Sequence, residues 1–186
     1  MPARPCPYFP HADKLPETGC VSIIGMAAAG KTTIGRELAI LLDFPQLDTD
    51  HLLEATYGTR LQNITSALSK EDFLDVESLV VGRLIARRAV ISTGGSVVYR
   101  ASSMAHLASL GPVIYIDVPL PIIAERILRK PDRGLAVNPG QTLEDLFRER
   151  EPLYKSFATH TIRGGEGQAR TYASAIADWL SCPWSG

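Results

Sequence analysis

A surplus of charge of either sign is missing from this chain: 19 lysines and arginines against 20 aspartates and glutamates leave a formal net charge of −1. With no run of basic residues and no aromatic stripe interleaved with one, the sequence offers no track for a phosphate backbone, and nucleic acid is not expected as a partner. Long hydrophobic runs are missing too. The most apolar stretches, Val76 to Val81 and Val113 to Ile123, are broken by charge or proline well short of the roughly 20 residues that a bilayer crossing takes, so no membrane is expected as a partner. Cysteine is scarce. Cys6, Cys20 and Cys182 are odd in number and far apart, with no CxxC pair, which argues against a disulfide framework or a thiolate metal site and leaves three free thiols. The N-terminus, Met1 to Thr18, carries prolines and scattered charge rather than a basic start followed by an apolar core, so it does not read as a secretory signal, and a cytoplasmic location is expected.

What is present suits one compact unit. A chain of 186 residues with 45% hydrophobic residues can bury a core of its own, and a monomer is expected, with residues 1–18 as a flexible extension and 19–186 as the working domain. Short aliphatic runs at Val21–Ile24, Ala89–Ser92 and Val113–Asp117 read as buried strands, with shorter candidates at Phe44–Leu47 and Thr161–Ile162. Between them lie segments of helical period near Lys31–Leu42, Phe73–Arg88, Ser102–Leu110, Leu120–Arg129, Leu143–Phe157 and Ala169–Leu180. Alternation of this kind predicts an α/β fold, a parallel five-stranded sheet with helices on both faces and right-handed crossovers. Such sheets take ligands beyond the carboxyl ends of their strands, which is where the glycines after Ile24, the pair Gly94-Gly95 and the breaker-rich segment Lys130 to Gly140 fall.

The run Gly25-Met26-Ala27-Ala28-Ala29-Gly30-Lys31-Thr32 fits GxxxxGK[ST], between an apolar strand and a helical segment, the context that a phosphate-binding loop demands. Its backbone amides would cradle the phosphates of ATP at the positive end of the following helix. Gly25, Ala28, Ala29, Gly30 and Thr33 are the expected nucleotide contacts beside Lys31, which would bridge the phosphates, and Thr32, which would ligate Mg²⁺. The fold class thereby narrows to a three-layer P-loop NTPase type.

The loop alone does not choose an activity. Downstream, Asp48-Thr49-Asp50 follows Lys31 by seventeen residues at the end of the second strand, and Thr93-Gly94-Gly95 ends the third. Arg126, Arg133 and Arg150-Glu151-Pro152-Leu153-Tyr154 complete a series that resembles shikimate kinase from Val21 to about Arg163. The resemblance implies ATP and Mg²⁺ as cofactors, a small-molecule acceptor, a substrate-binding insertion over about 50–80 and a mobile lid over about 130–141. It makes Asp48 a Mg²⁺-organising carboxylate and Asp50 the group that orients the acceptor hydroxyl and takes its proton. Gly94 and Gly95 become the glycines at the γ-phosphate and substrate, Arg133 the lid arginine over the transferring phosphoryl group, Arg126 the arginine against adenine, and Arg150 the partner of a substrate carboxylate. Lys31, Asp50 and Arg133 are thus the expected catalytic residues. Gly164 to Gln168 occupy the place of the adenine loop. A carboxylate beside a phosphate loop also has a chemical rationale of its own, because phosphoryl transfer needs an aligned hydroxyl and metal-gathered phosphate charge.

The chain departs from the family pattern on the acceptor side. Leu74 stands where a second carboxylate-binding arginine follows the phenylalanine, Ser96 follows Gly95 where a third glycine is usual, Ala28 replaces the middle glycine of the loop, and Gly134 replaces a proline. Losing one arm of a bidentate clamp costs on the order of 2 to 4 kcal/mol. On that ground Leu74, at a substrate-binding position, turns the expectation from shikimate toward a zwitterion, homoserine, in amino-acid biosynthesis; Asp50 or Glu77 would face its ammonium. Shikimate is the alternative acceptor, followed by gluconate or a polyol. A nucleotide-binding regulator without catalysis is the remaining alternative, and Lys31, Thr32, Asp48, Asp50 and Arg133 together speak against it.

Overall fold

The computed structural model describes residues 19–129 and 140–181. Five parallel strands, β1 (Val21–Ile24), β2 (Gln46–Asp48), β3 (Val90–Ser92), β4 (Val113–Asp117) and β5 (His160–Arg163), lie in the order β2-β3-β1-β4-β5. The three central strands are almost wholly buried, which their unbroken aliphatic composition anticipates for a sheet covered on both faces. The register sets Asp48 beside Ser92, and Ser92 beside Ile23. Three strand ends therefore stop side by side, and the segments leaving them share one edge of the sheet.

The helices follow from apolar spacing and from caps. Helix α1 (Lys31–Leu42) buries Ile34, Leu38, Ala39 and Leu42, a one-sided stripe of helical period. Helix α4 runs Lys70–Gly82 rather than Phe73–Arg88, because Ser69 caps it by accepting from the Asp72 amide at 3.1 Å and Gly82 closes it. Two helices that apolar spacing alone did not delimit, α2 (Thr49–Tyr57) and α3 (Leu61–Ala67), precede it. Together the three form a side layer with a small core of its own, Leu53, Ile64 and Phe73, apart from the main core against the sheet. Helices α5 (Ala101–Leu110), α6 (Leu120–Leu128), α7 (Leu143–Phe157) and α8 (Ala169–Ser181) complete the described chain. Strands β2 and β5 are placed one to two residues from their expected bounds, with Pro45 just before β2. Among the described residues no helix is long and apolar enough to cross a membrane. The N-terminal extension, Cys6, Cys182, Arg133, Gly134 and most of the expected lid lie outside the described residues.

Candidate active site

The loop after β1 turns on residues that tolerate a left-handed backbone. Gly25 has φ 145° and a side chain there would press its Cβ to 2.8 Å from the Ile116 carbonyl oxygen, while Gly30, capping α1, has φ 95°. Ala28 also adopts a positive φ of 64°, so the replacement of glycine here carries strain of about 1 kcal/mol. Lys31 is buried and curls over the loop, its Nζ donating to the carbonyls of Gly25 and Met26, each at 2.8 Å.

At the end of β2, Asp48 does two things at once. One carboxylate oxygen accepts from the Asp50 amide at 3.0 Å and caps α2, and the other accepts from the Thr32 hydroxyl at 2.8 Å. The pairing of a hydroxyl with a carboxylate, both hard oxygen donors, fits Mg²⁺, which takes one or two protein oxygens and completes its shell with phosphate and water. Thr49, wholly buried, accepts from the Gly94 amide at 3.0 Å and so ties the start of α2 to the turn after β3. Thr93 fixes the other side of that turn, its hydroxyl donating to the Ile23 carbonyl at 2.9 Å.

Gly94 separates two carboxyls. A Cβ at that position would fall 2.3 Å from Glu77 Oε1 and 2.8 Å from Asp50 Oδ1, so the absence of a side chain is what lets both groups approach the turn. Glu77 is 2% exposed and its Oε1 has no hydrogen-bond partner among the described residues. Burial pushes its pKa up from 4.5 to about 7, the Asp50 carboxylate adds to the rise, and the Ser96 hydroxyl with the Arg150 and Lys31 cations pulls the other way.

Arg150, 1% exposed, is brought in by α7. Its Nε donates to the Tyr99 hydroxyl at 3.1 Å, its guanidinium carbon lies 5.0 Å from that ring's centre, and Gly95 leaves room beside it. Four residues on, the Tyr154 hydroxyl donates to the Gly95 carbonyl and its ring stacks on Tyr115 at 5.2 Å. The R-x-PLY motif is therefore a local unit, in which the tyrosine grips the glycine turn and the arginine one turn earlier is held beside it on Tyr99.

Two cavities meet at the loop. One, of about 710 Å³, is lined by Lys31, Thr32, Asp48 and Asp50 on one side and by Glu77, Gly94, Gly95, Ser96 and Arg150 on the other. Phe73 and Glu77 reach it, whereas Leu74 does not and is buried at 2% exposure. The other cavity, of about 390 Å³, lies against Ala28, Ala29, Gly30 and Thr33 and is closed by Arg126, Gly165 and Tyr172. Arg126 donates to the Ala28 carbonyl at 3.2 Å and to the Gly165 carbonyl, linking the phosphate loop to the segment expected at adenine. Among the described residues, every expected site residue except Leu74 thus contributes to one of the two cavities or to the loop between them. The roles of Thr49, Thr93 and Tyr99 in holding this turn are not apparent from the sequence. Thr49 could have been found as the middle of Asp48-Thr49-Asp50, but nothing local marks Tyr99, whose partner Arg150 is 51 residues away.

Comparison with known proteins agrees with this arrangement. A sequence model of the family described as shikimate kinase matches residues 27–181. The shikimate kinase of Acinetobacter baylyi (strain ATCC 33305 / BD413 / ADP1) is 36% identical over 167 residues, covering 88% of this chain and 91% of that protein. That of Aromatoleum aromaticum (strain DSM 19018 / LMG 30748 / EbN1) is 37% identical over 150 residues, covering 79% and 86%. Among solved structures, shikimate kinase from Acinetobacter baumannii in complex with shikimate superposes with a TM-score of 0.81 at 34% identity, over 90% of this chain and 94% of that one.

Proposed function

The chain belongs to the shikimate kinase family, and from that premise we propose that it transfers the γ-phosphoryl group of ATP to a ring hydroxyl of shikimate. The observation that carries the reading is the single cavity in which the phosphate loop, the carboxylate of Asp50 and the buried guanidinium of Arg150 face common space. A relative of 34% identity and matching fold is described as a complex with shikimate, which supports the same acceptor here.

In this reading the smaller cavity takes adenine, with Arg126 and the 164–168 segment around it, and the loop amides take the phosphates. Lys31 exchanges its two carbonyl partners for phosphate oxygens. Thr32 and Asp48 would hold Mg²⁺, which supplies charge neutralisation across the phosphates. Asp50 orients the acceptor hydroxyl and receives its proton as the oxygen attacks phosphorus in line, while the bond from the γ-phosphorus to the bridging oxygen breaks and ADP departs. Lys31 stabilises charge that grows on the phosphoryl oxygens. Arg150 binds the substrate carboxylate through a planar two-pronged donor.

The homoserine expectation rested on Leu74 leaving a single cation at the substrate, and the comparisons support shikimate instead. The reason is spatial: Leu74 does not line the cavity, so its identity does not by itself set the charge there. A pair of variants tests the roles. Asp50→Asn should lower kcat by at least about a hundredfold with little effect on the KM for ATP, and Lys31→Ala should remove nearly all turnover while the protein stays folded. Near-normal turnover in a folded Lys31→Ala protein would end the kinase reading.

A further inference from the structure

An anionic acceptor asks for more than one cation in a cavity that also holds Asp50, Glu54 and Glu77. Among the described residues, the basic side chains that line it are Lys31, His51, Arg60 and Arg150. Lys31 is committed to the phosphate loop, where its Nζ already sits on two carbonyls. His51 lacks the two-pronged donor that a carboxylate matches best. Cations elsewhere on the α4 side are spoken for or misplaced. Lys70 lies 4.7 Å from the Tyr99 ring centre and 3.5 Å from Glu149, Arg100 is paired with Glu71 and Asp75, and Arg83, at the C-terminal end of α4, does not reach the cavity.

Arg60 is left, and its surroundings suit the task. It caps α3, its backbone is fixed by the Asn63 amide donating to its carbonyl at 2.9 Å and by Leu61 donating to Glu54 Oε1 at 2.9 Å, and Ile64 one turn on anchors α3 in the small core with Phe73. The guanidinium itself is exposed and makes no ion pair or hydrogen bond with a described residue. A cation held on a fixed rim, with no carboxylate to surrender, loses little on engaging a substrate. Glu54, the nearest acid in sequence, spends one oxygen on the Leu61 amide.

Resting on the reading that the acceptor is shikimate, we propose that Arg60, at the start of α3, is the second cation of the substrate carboxylate site, acting with Arg150 across the cavity that both line. Steady-state kinetics of Arg60→Ala test it. The KM for shikimate should rise about tenfold or more, with kcat falling no more than about threefold and the KM for ATP changing by less than about twofold, and Arg60→Lys should recover part of the loss. Shikimate methyl ester, which has no carboxylate charge, separates a direct contact from a distorted pocket: Arg60→Ala should change its KM by less than about twofold. An unchanged KM for shikimate, an equal rise for acid and ester, or a rise confined to ATP would overturn the clamp. If the unmodified protein does not phosphorylate shikimate at all, the acceptor reading falls and the clamp falls with it. Efficient turnover of shikimate that is indifferent to Arg60→Ala overturns the clamp alone.

Discussion

At the scale of single residues, the phosphate loop was legible because its chemistry is written contiguously: Gly25 and Gly30 are needed where φ is positive, and Lys31 and Thr32 follow at once. Ala28 is the exception. Its side chain is small, yet at φ 64° a Cβ is strained whatever space surrounds it. Ala28→Gly should therefore escape the roughly 1 kcal/mol loss that glycine usually brings, because relief of strain offsets the added freedom of the unfolded chain. Urea unfolding should place the variant within about 0.5 kcal/mol of the parent or above it, and a loss of 1 kcal/mol or more would mean that the loop holds Ala28 without strain. Asp48 teaches a different lesson. Helix cap and metal-site carboxylate are competing interpretations of its sequence position, but its two oxygens serve the Asp50 amide and the Thr32 hydroxyl at the same time.

At the scale of elements, the strands and most helices were legible from apolar runs, whereas in the layer formed by α2, α3 and α4 the first two helices were not and α4 was legible only with displaced bounds. Helices α2 and α3 are short, Leu53, Ile64 and Phe73 pack on one another instead of on the sheet, and the start of α4 depends on the Ser69 cap rather than on hydrophobic period. The same layer explains why Leu74 misled. Sequence position said that it stood for a ligand, but which residues of α4 face the cavity is decided by how the layer leans on the turn after β3, and Phe73 and Glu77 are the ones presented. Thr49 is a hydrogen-bonded tie between that layer and the turn, accepting from Gly94 in a wholly buried place. Thr49→Val keeps the shape and leaves the Gly94 amide unpaired, which should cost about 1–3 kcal/mol in urea unfolding and lower kcat/KM, while Thr49→Ser should retain most of both. Parent-like stability of Thr49→Val would show that the layer is held by other contacts.

At the scale of the whole molecule, the larger cavity places one acid, Glu77, where burial opposes its charge, and stability should record it. The folded protein holds the Glu77 proton more tightly than the unfolded chain, since the pKa rises from 4.5 to about 7. Stability is therefore greatest below the unfolded value and falls as pH rises through the interval between the two. Glu77→Gln removes the effect: relative to this variant, the parent should lose about 2 kcal/mol between pH 5.5 and pH 8, and parallel urea-unfolding profiles over that interval would place Glu77 in a wetter or better-paired site. The proposed kinase activity rests on two cavities that meet at one phosphate loop, one closed by Arg126 and the other acidic and arginine-bearing. Its most direct test is a coupled ADP-release assay of the purified protein with ATP and Mg²⁺, comparing shikimate with homoserine and gluconate. The predicted result is release of ADP with shikimate at a kcat/KM at least about a hundredfold above either rival, abolished by Lys31→Ala; saturating turnover of homoserine or gluconate with none on shikimate would contradict it.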